Sequence, residues 1–143
     1  TYEERLQNCK QITKNFPIKI LEVEKKIKSQ YSYQTIKFLI QYYKNIKFFW
    51  LMGADNLISF HKWQKWQKIF NNMSIVIFKR HGYNNKALKS IASKKYNNKR
   101  ILMSAINLQD FNTLPSWTII ENKEIKISST EIRNQRDKFR GKN

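Results

Sequence analysis

Two short and almost wholly apolar runs constrain the fold of this chain most strongly. They cover residues 46–52 and 74–78, and Gly53 closes the first of them. A strand that is apolar on both sides is typical of a parallel sheet that helices cover on both faces. Helical periodicity occupies much of the chain around these runs, so strands and helices alternate. The sequence therefore predicts an α/β fold with a parallel sheet and helices on both faces.

The same patterns assign the other elements. Helices are predicted at residues 2–14, 32–44, 55–70 (in two pieces), 85–96 and 129–139. Further strands are predicted at residues 18–23, 101–106, 117–120 and 124–127. Ser32 is expected to cap the second helix. Because no linker or long repeat interrupts the chain, residues 1–143 are predicted to form a single domain.

The composition excludes several classes of protein. With 41% hydrophobic and 14% aromatic residues, the chain is not a disordered tail. The apolar stretch from Phe48 to Met52 is far too short to cross a bilayer, so no membrane partner is expected. The lone cysteine, Cys9, fits a reducing compartment. The net charge of +18 suits polyanionic partners, but lysines spread along almost the whole chain favour a general residue bias over a dedicated nucleic-acid surface.

A candidate ligand site follows the first apolar run. Gly53 and Asp55 stand at its carboxyl end, where open α/β sheets bind ligands. Glycine lets the backbone approach a ligand closely, and an aspartate can accept hydrogen bonds from the vicinal hydroxyls of a ribose. The alternative is a turn in which Asp55 caps the next helix. Arg80 follows the second apolar run and is a further candidate, with an ordinary turn held by Gly82 as its alternative.

Aromatic residues come next along the chain. Phe60, Trp63, Trp66 and Phe70 are spaced by three, three and four residues, which is typical of core packing. A tryptophan also offers a flat platform for a pyridinium ring or a base. At least one of the two tryptophans is expected to be structural. His61 is expected at the surface, and no protein metal site is predicted, because no second histidine or carboxylate stands at ligand spacing.

The segment at residues 127–133 carries the most distinctive local signal. Ser128 and Glu131 have the spacing of a capping box at the start of a helix. Such a start, rich in hydroxyls and free N–H groups, suits an anion. Arg133 lies one turn further in and could bind a phosphate. The alternative is an ordinary cap with a solvated arginine.

Together, in this order and spacing, the motifs resemble the nicotinate-nucleotide adenylyltransferases of the nucleotidyltransferase superfamily. The matching segments are Gly53 to Trp63, Phe78 to Tyr83, Ile127 to Arg133 and, earlier, Tyr31 to Ile36. The resemblance covers essentially the whole chain and implies a Rossmann-like nucleotidyltransferase fold. It also implies a cytoplasmic enzyme of NAD biosynthesis, which transfers the adenylyl group of ATP to nicotinate mononucleotide and yields deamido-NAD and pyrophosphate.

The resemblance also implies roles for single residues. The ATP-binding positions fall on Gly53, Asp55, Arg80, Ser128, Thr130 and Arg133. The first two would hold the ribose, the third would line the nucleotide pocket, and the last three would contact the phosphates. Trp63 would stack on the nicotinate ring, and Ser32 would lie near its carboxylate. The chemistry is mainly positioning and charge stabilisation, with Mg²⁺ carried by the ATP phosphates.

Two departures from the family pattern matter. Ser32 stands where the family has threonine, and Gln30 where it has serine, so the preference for nicotinate over nicotinamide stays open. The family's H-x-G-H motif, whose histidines stabilise the phosphates, is absent, because the chain holds only His61 and His81. The strand and helix that carry this motif are expected upstream of Thr1. The 143 residues are therefore expected to hold no catalytic residue, to be marginally stable and to be inactive or nearly so alone.

Two alternatives stay open at this point. One is a basic RNA-binding module that uses lysines with tryptophan and tyrosine platforms, although the three ordered motifs argue against a specific nucleic-acid partner. The other is a related nucleotidyltransferase with a different acceptor, such as a pantetheine phosphate. Trp63 disfavours this second alternative, because a stacking indole suits a pyridine ring. The oligomeric state does not follow from the sequence.

Overall fold

The chain divides into two compact units, residues 1–45 and residues 46–143. The computed structural model describes residues 1–103 and 107–121. The predicted strand at 124–127 and the predicted helix at 129–139 lie outside the described residues, as does the end of the predicted strand at 101–106. The prediction that residues 1–143 form one domain stays a prediction.

The first unit is helical. It contains α1 (Tyr2–Thr13), α2 (Val23–Ile27) and α3 (Ser32–Tyr42). A capping box starts α1, since the Thr1 hydroxyl accepts from the backbone N–H of Glu4 and the Glu4 carboxylate accepts from the Thr1 amino group. The helix α2 packs on α3, with the ammonium group of Lys26 5.1 Å from the ring centre of Tyr42.

Two predictions for the first unit are wrong. Residues 18–22 form no strand, and α2 begins at Val23 instead. The alternating pattern there does not mark a buried face, because Ile18 is 58% and Leu21 43% exposed. Ser32 is the first residue of α3 and does not cap it, since the cap position falls on Tyr31 and has no side-chain hydrogen bond.

The second unit is built on a parallel sheet, whose described strands lie in the order β1-β2-β3. These strands are β1 (Phe49–Gly53), β2 (Ser74–Phe78) and β3 (Trp117–Ile120). The helices are α4 (Ala54–Ser59), α5 (Trp66–Asn72), α6 (Asn84–Leu88) and α7 (Ile91–Lys95), with 3-10 helices at Phe60–Lys62, Asn97–Lys99 and Leu108–Asn112. The predicted α/β fold with a parallel sheet is confirmed.

Two predicted elements of this unit are only partly correct. The helix predicted at 85–96 is split into α6 and α7, because the Ser90 hydroxyl accepts from the backbone N–H of Ser93 and starts a new helix. The strand predicted at 101–106 does not form at residues 101–103. Only an isolated parallel bridge between Arg100 and Trp117 extends the ladder there.

One face of the sheet carries most of the core. Side chains that alternate along the three strands share this face, namely Trp50, Met52, Ile75, Ile77, Trp117 and Ile119. The ring of Phe70 on α5 packs edge-on against Trp117 and stacks on Tyr96 with ring centres 4.1 Å apart. The Trp117 indole N–H donates to the backbone carbonyl of Tyr96 at 2.7 Å. A dense aromatic cluster therefore fixes the helical layer on this face.

The other face is less covered. Phe49 packs against Phe111 of the last 3-10 helix, but Leu51 is 59% exposed. The prediction that the first apolar run is buried on both faces is therefore wrong at Leu51, because β1 lies at an edge of the described sheet. In the part of the chain that the structure describes, no helix is both long and apolar enough to span a bilayer.

Candidate active site

The carboxyl ends of β1 and β2 lie side by side. In the parallel ladder, Gly53 pairs with Phe78, the last residue of β2. Asp55 lies two residues after Gly53, and Arg80 lies two residues after Phe78. The register therefore brings together two candidate site residues that are 25 positions apart in the sequence.

Asp55 and Arg80 form an ion pair at this edge. The Nη1 group of Arg80 donates to Oδ2 of Asp55 at 2.7 Å. The two side chains are 27% and 45% exposed, so the pair adds little to stability and acts mainly by orienting its members. The alternative in which Asp55 caps the next helix is wrong, because α4 is capped at Gly53 without a side-chain hydrogen bond.

Gly53 completes the cluster through its lack of a side chain. A Cβ atom at this position would overlap Oδ1 of Asp55 and would lie 3.9 Å from Cδ of Arg80. Oδ1 of Asp55 is buried and has no hydrogen-bond partner among the described residues. Glycine is thus needed here for a close approach of the carboxylate to the backbone, and that carboxylate keeps unused acceptor capacity.

A tight turn carries Arg80. The backbone N–H of Tyr83 donates to the carbonyl of Arg80 at 3.0 Å, and Gly82 adopts a φ of +77°. This left-handed conformation favours glycine, so the predicted role of Gly82 in a turn is confirmed. The backbone N–H of Arg80 donates to Oδ1 of Asn84 at 2.8 Å. Asn84 was not among the predicted site residues, although asparagine directly after a glycine turn is a recognisable turn signal.

The neighbouring lysine is engaged elsewhere. Lys79 forms a hydrogen-bonded ion pair with Glu121, which directly follows β3. The hydrogen bond and the charge of Lys79 lower the pKa of the Glu121 carboxyl. Consecutive basic residues after β2 therefore form ion pairs with different acidic partners, and the partner of Arg80 is Asp55.

The two candidate tryptophans have different surroundings. Trp66 packs against Phe60 and Phe70 with ring centres 6.4 Å away in both cases, and it also contacts Tyr96. Trp63 follows the first 3-10 helix, is half-buried, and contacts Phe60 at 5.0 Å. The expectation that at least one of the two tryptophans is structural is confirmed for Trp66.

Near Trp63, two ring nitrogens are buried without a partner among the described residues. They are Nε1 of Trp50 and Nδ1 of His61. The indole of Trp50 meets Trp63 edge-on, with ring centres 6.3 Å apart. His61 is half-buried, so the expectation of a surface histidine is only partly correct. Among the described residues, no group of three or more histidine, cysteine, aspartate or glutamate side chains is placed to hold a metal ion.

The remaining candidates lie in the first unit or outside the described residues. Ser32 lies in the first unit as the first residue of α3. Ser128, Thr130 and Arg133 lie outside the described residues, so their predicted phosphate contacts stay predictions. The described cluster thus contains three of the six predicted ATP-binding residues, which are Gly53, Asp55 and Arg80.

Comparisons with known proteins identify the family of the chain. The cytidylyltransferase-like family model matches residues 1–135. A protein of Ruegeria sp. (strain TM1040), named probable nicotinate-nucleotide adenylyltransferase, is 32% identical over 129 residues, which are 90% of this chain and 68% of that protein. A protein of the same name from Agrobacterium fabrum is 30% identical over 132 residues, or 92% of this chain and 71% of the relative.

A solved structure shows the same fold. It is the nicotinic acid mononucleotide adenylyltransferase of Plasmodium falciparum complexed with APC, and it superposes with a TM-score of 0.63 at 16% identity. The match covers 93% of this chain, which spans only 61% of the length of that chain. The α/β nucleotidyltransferase fold and the predicted family resemblance are confirmed. The chain therefore belongs to the cytidylyltransferase-like family, within the group of relatives named nicotinate-nucleotide adenylyltransferases.

Proposed function

We propose that the protein carrying this chain transfers the adenylyl group of ATP to nicotinate mononucleotide. The observation that carries the proposal is the convergence of Gly53, Asp55 and Arg80 beyond the carboxyl ends of two adjacent parallel strands. This edge is where open α/β sheets bind nucleotides. The names of the relatives support the same reaction. We assign this reaction to NAD biosynthesis in the cytoplasm.

In this proposal, Asp55 binds the ribose of ATP. A carboxylate has about four acceptor positions, and the ion pair with Arg80 uses one of them. The remaining positions suit the two vicinal hydroxyls of a ribose. Arg80 fixes the carboxylate in place, and because guanidinium carries about five N–H donors, it can also contact the nucleotide. The absence of a side chain at Gly53 leaves room for the Asp55 carboxylate to lie against the backbone.

Trp63 is the proposed platform for the nicotinate ring. Its indole is held by Phe60 and Trp50 and remains only half-buried, which suits stacking on a pyridinium ring. We further assign Ser32 to the nicotinate carboxylate, and Ser128, Thr130 and Arg133 to the ATP phosphates. These four assignments rest on the resemblance to the family.

The reaction joins the two nucleotides through a phosphate. An oxygen of the mononucleotide phosphate attacks the α-phosphorus of ATP, the bond to the bridging oxygen of the β-phosphate breaks, and pyrophosphate leaves with that electron pair. We assign no catalytic residue to these 143 residues, and the chain supplies positioning and charge. Among the described residues, Asp55 supplies the carboxylate at this site and Arg80 engages it, so we assign Mg²⁺ to the triphosphate of ATP.

The reaction is tested by pyrophosphate release from MgATP with different acceptors. We expect nicotinate mononucleotide to support release when the chain carries the family's H-x-G-H segment, and the 143 residues alone to give little or none. Nicotinamide mononucleotide measures the preference that Ser32 and Trp63 impose, and a pantetheine phosphate is the control acceptor. Release with the pantetheine phosphate alone would contradict the proposal. So would strongly salt-dependent RNA binding without release from any acceptor.

A further inference from the structure

We infer that Asn84 is a positioning residue for the nucleotide site, because its side-chain carbonyl holds the backbone of Arg80 so that the guanidinium group stays on Asp55. The inference rests on the proposed function in one respect, namely that Asp55 and Arg80 contact ATP. The contact itself is a feature of the fold: Oδ1 of Asn84 accepts the Arg80 backbone N–H at 2.8 Å.

The contact begins where the sheet ends. Phe78 is the last residue of β2 and pairs with Gly53 on one side and Ile120 on the other. Arg80 lies beyond this ladder, so its backbone N–H needs another acceptor. Asn84 supplies that acceptor from the first turn of α6.

The turn geometry makes this reach possible. Gly82, with its φ of +77°, reverses the chain so that a side chain four residues ahead returns to Arg80. The Arg80 carbonyl also accepts the N–H of Tyr83 at 3.0 Å. Both polar backbone groups of Arg80 are therefore fixed, and its Nη1 group ends 2.7 Å from Asp55.

The same contact is not needed to build α6. That helix begins after Tyr83, whose side chain makes no capping bond, and its first turn is closed by the N–H of Ala87 donating to the Tyr83 carbonyl at 2.9 Å. Alanine has the highest helix propensity, so Asn84→Ala should leave α6 formed. It should release the backbone of Arg80, whose 45% exposed side chain can then turn to water.

The experiment compares three single variants of the chain, each carrying the family's H-x-G-H segment, by calorimetric titration with MgATP. We expect Asn84→Ala to raise the Kd about tenfold, which is the size of one lost hydrogen bond that orients a charged partner. Asn84→Asp keeps an acceptor oxygen and should restore most of the affinity. Asn85→Ala, at the exposed neighbour in the same helix, is the matched control and should bind like the parent.

The decisive comparison repeats Asn84→Ala in an Arg80→Ala background. If Asn84 acts through Arg80, the second substitution should add almost nothing, because the group it positions is already gone. An equal tenfold loss in both backgrounds would overturn the inference and indicate general loosening. An unchanged Kd in the single variant would overturn it as well.

Hydrogen exchange of the Arg80 amide separates the inference from the proposed function. If the unsubstituted chain with its H-x-G-H segment does not bind MgATP, the proposed function fails, but the positioning role is still tested. Faster exchange of the Arg80 amide in Asn84→Ala than in Asn85→Ala would support the role. Equal exchange in the two variants would overturn it.

Discussion

Replacing Asp55 with alanine should raise the Kd for MgATP about a hundredfold, because two hydrogen bonds from ribose hydroxyls to a charged acceptor are lost together. Asp55 lies two residues after the end of β1 and is held by Arg80 at 2.7 Å, so its carboxylate is already oriented before the nucleotide arrives. The loss should appear in the affinity and not in stability, since the Asp55–Arg80 pair is partly exposed. Calorimetric titration and thermal melting measure the two effects separately.

Two further variants test whether the charge and the position of the Asp55 carboxylate determine the affinity for MgATP. Asp55→Asn keeps the shape but removes the charge that attracts Arg80, and an intermediate affinity is expected. Gly53→Ala leaves the carboxylate in the chain but adds a Cβ that would overlap Oδ1 of Asp55, so it should displace the group and weaken binding almost as much as Asp55→Ala. Full ATP affinity in Asp55→Ala would show that the nucleotide does not bind at this edge of the sheet.

Replacing Trp117 with alanine should lower the free energy of unfolding by about 3–5 kcal/mol, the range for a buried large aromatic side chain. Trp117 is 1% exposed, lies on β3, and packs edge-on against Phe70 of α5. Trp117 therefore packs the sheet against the helix α5. Because small domains have only about 5–15 kcal/mol of stability, this loss is a large share of the total and should lower the midpoint of thermal unfolding clearly.

A Trp117→Phe variant separates packing from hydrogen bonding. It keeps an aromatic ring but removes the indole N–H, which donates to the Tyr96 carbonyl at 2.7 Å, so that carbonyl loses its partner. We expect a smaller loss of about 1–3 kcal/mol in urea unfolding. If Trp117→Ala unfolded at the same urea concentration as the parent chain, the aromatic cluster would not be the core of the second unit.

The strands that the sequence predicted best are those with the most buried side chains. The bounds of β2 and β3 agree with the predicted ranges at 74–78 and 117–120. In β2, the alternating residues Ile75 and Ile77 are completely buried. The predicted strand at 18–23 failed for the opposite reason. Alternation of apolar residues predicts a strand only if a neighbouring strand can pair with it, and exposed Ile18 shows that the pattern did not mark a core.

The candidate site shows a similar division. Gly53, Asp55 and Arg80 could be predicted because the carboxyl ends of parallel strands collect ligand-binding residues. Their mutual contact could not, because the sequence does not say that β1 and β2 are neighbours in a register that aligns Gly53 with Phe78. The alternative in which Asp55 caps the next helix failed for the same reason, since its partner Arg80 comes from the segment that follows β2. Asn84 was not predicted as a site residue, because its role depends on the register that brings Arg80 next to Asp55.

The measurement that tests the central claim most directly is an amide chemical-shift titration with MgATP of the labelled chain carrying the family's H-x-G-H segment. We expect saturable shifts at Gly53, Asp55 and Arg80, the residues that converge beyond the carboxyl ends of β1 and β2. The amide of Asn85, an exposed residue of α6, serves as an internal reference, and its chemical shift should not change. Shifts confined to the first unit, or no saturable shift at these three residues, would contradict a nucleotide site at this edge of the sheet.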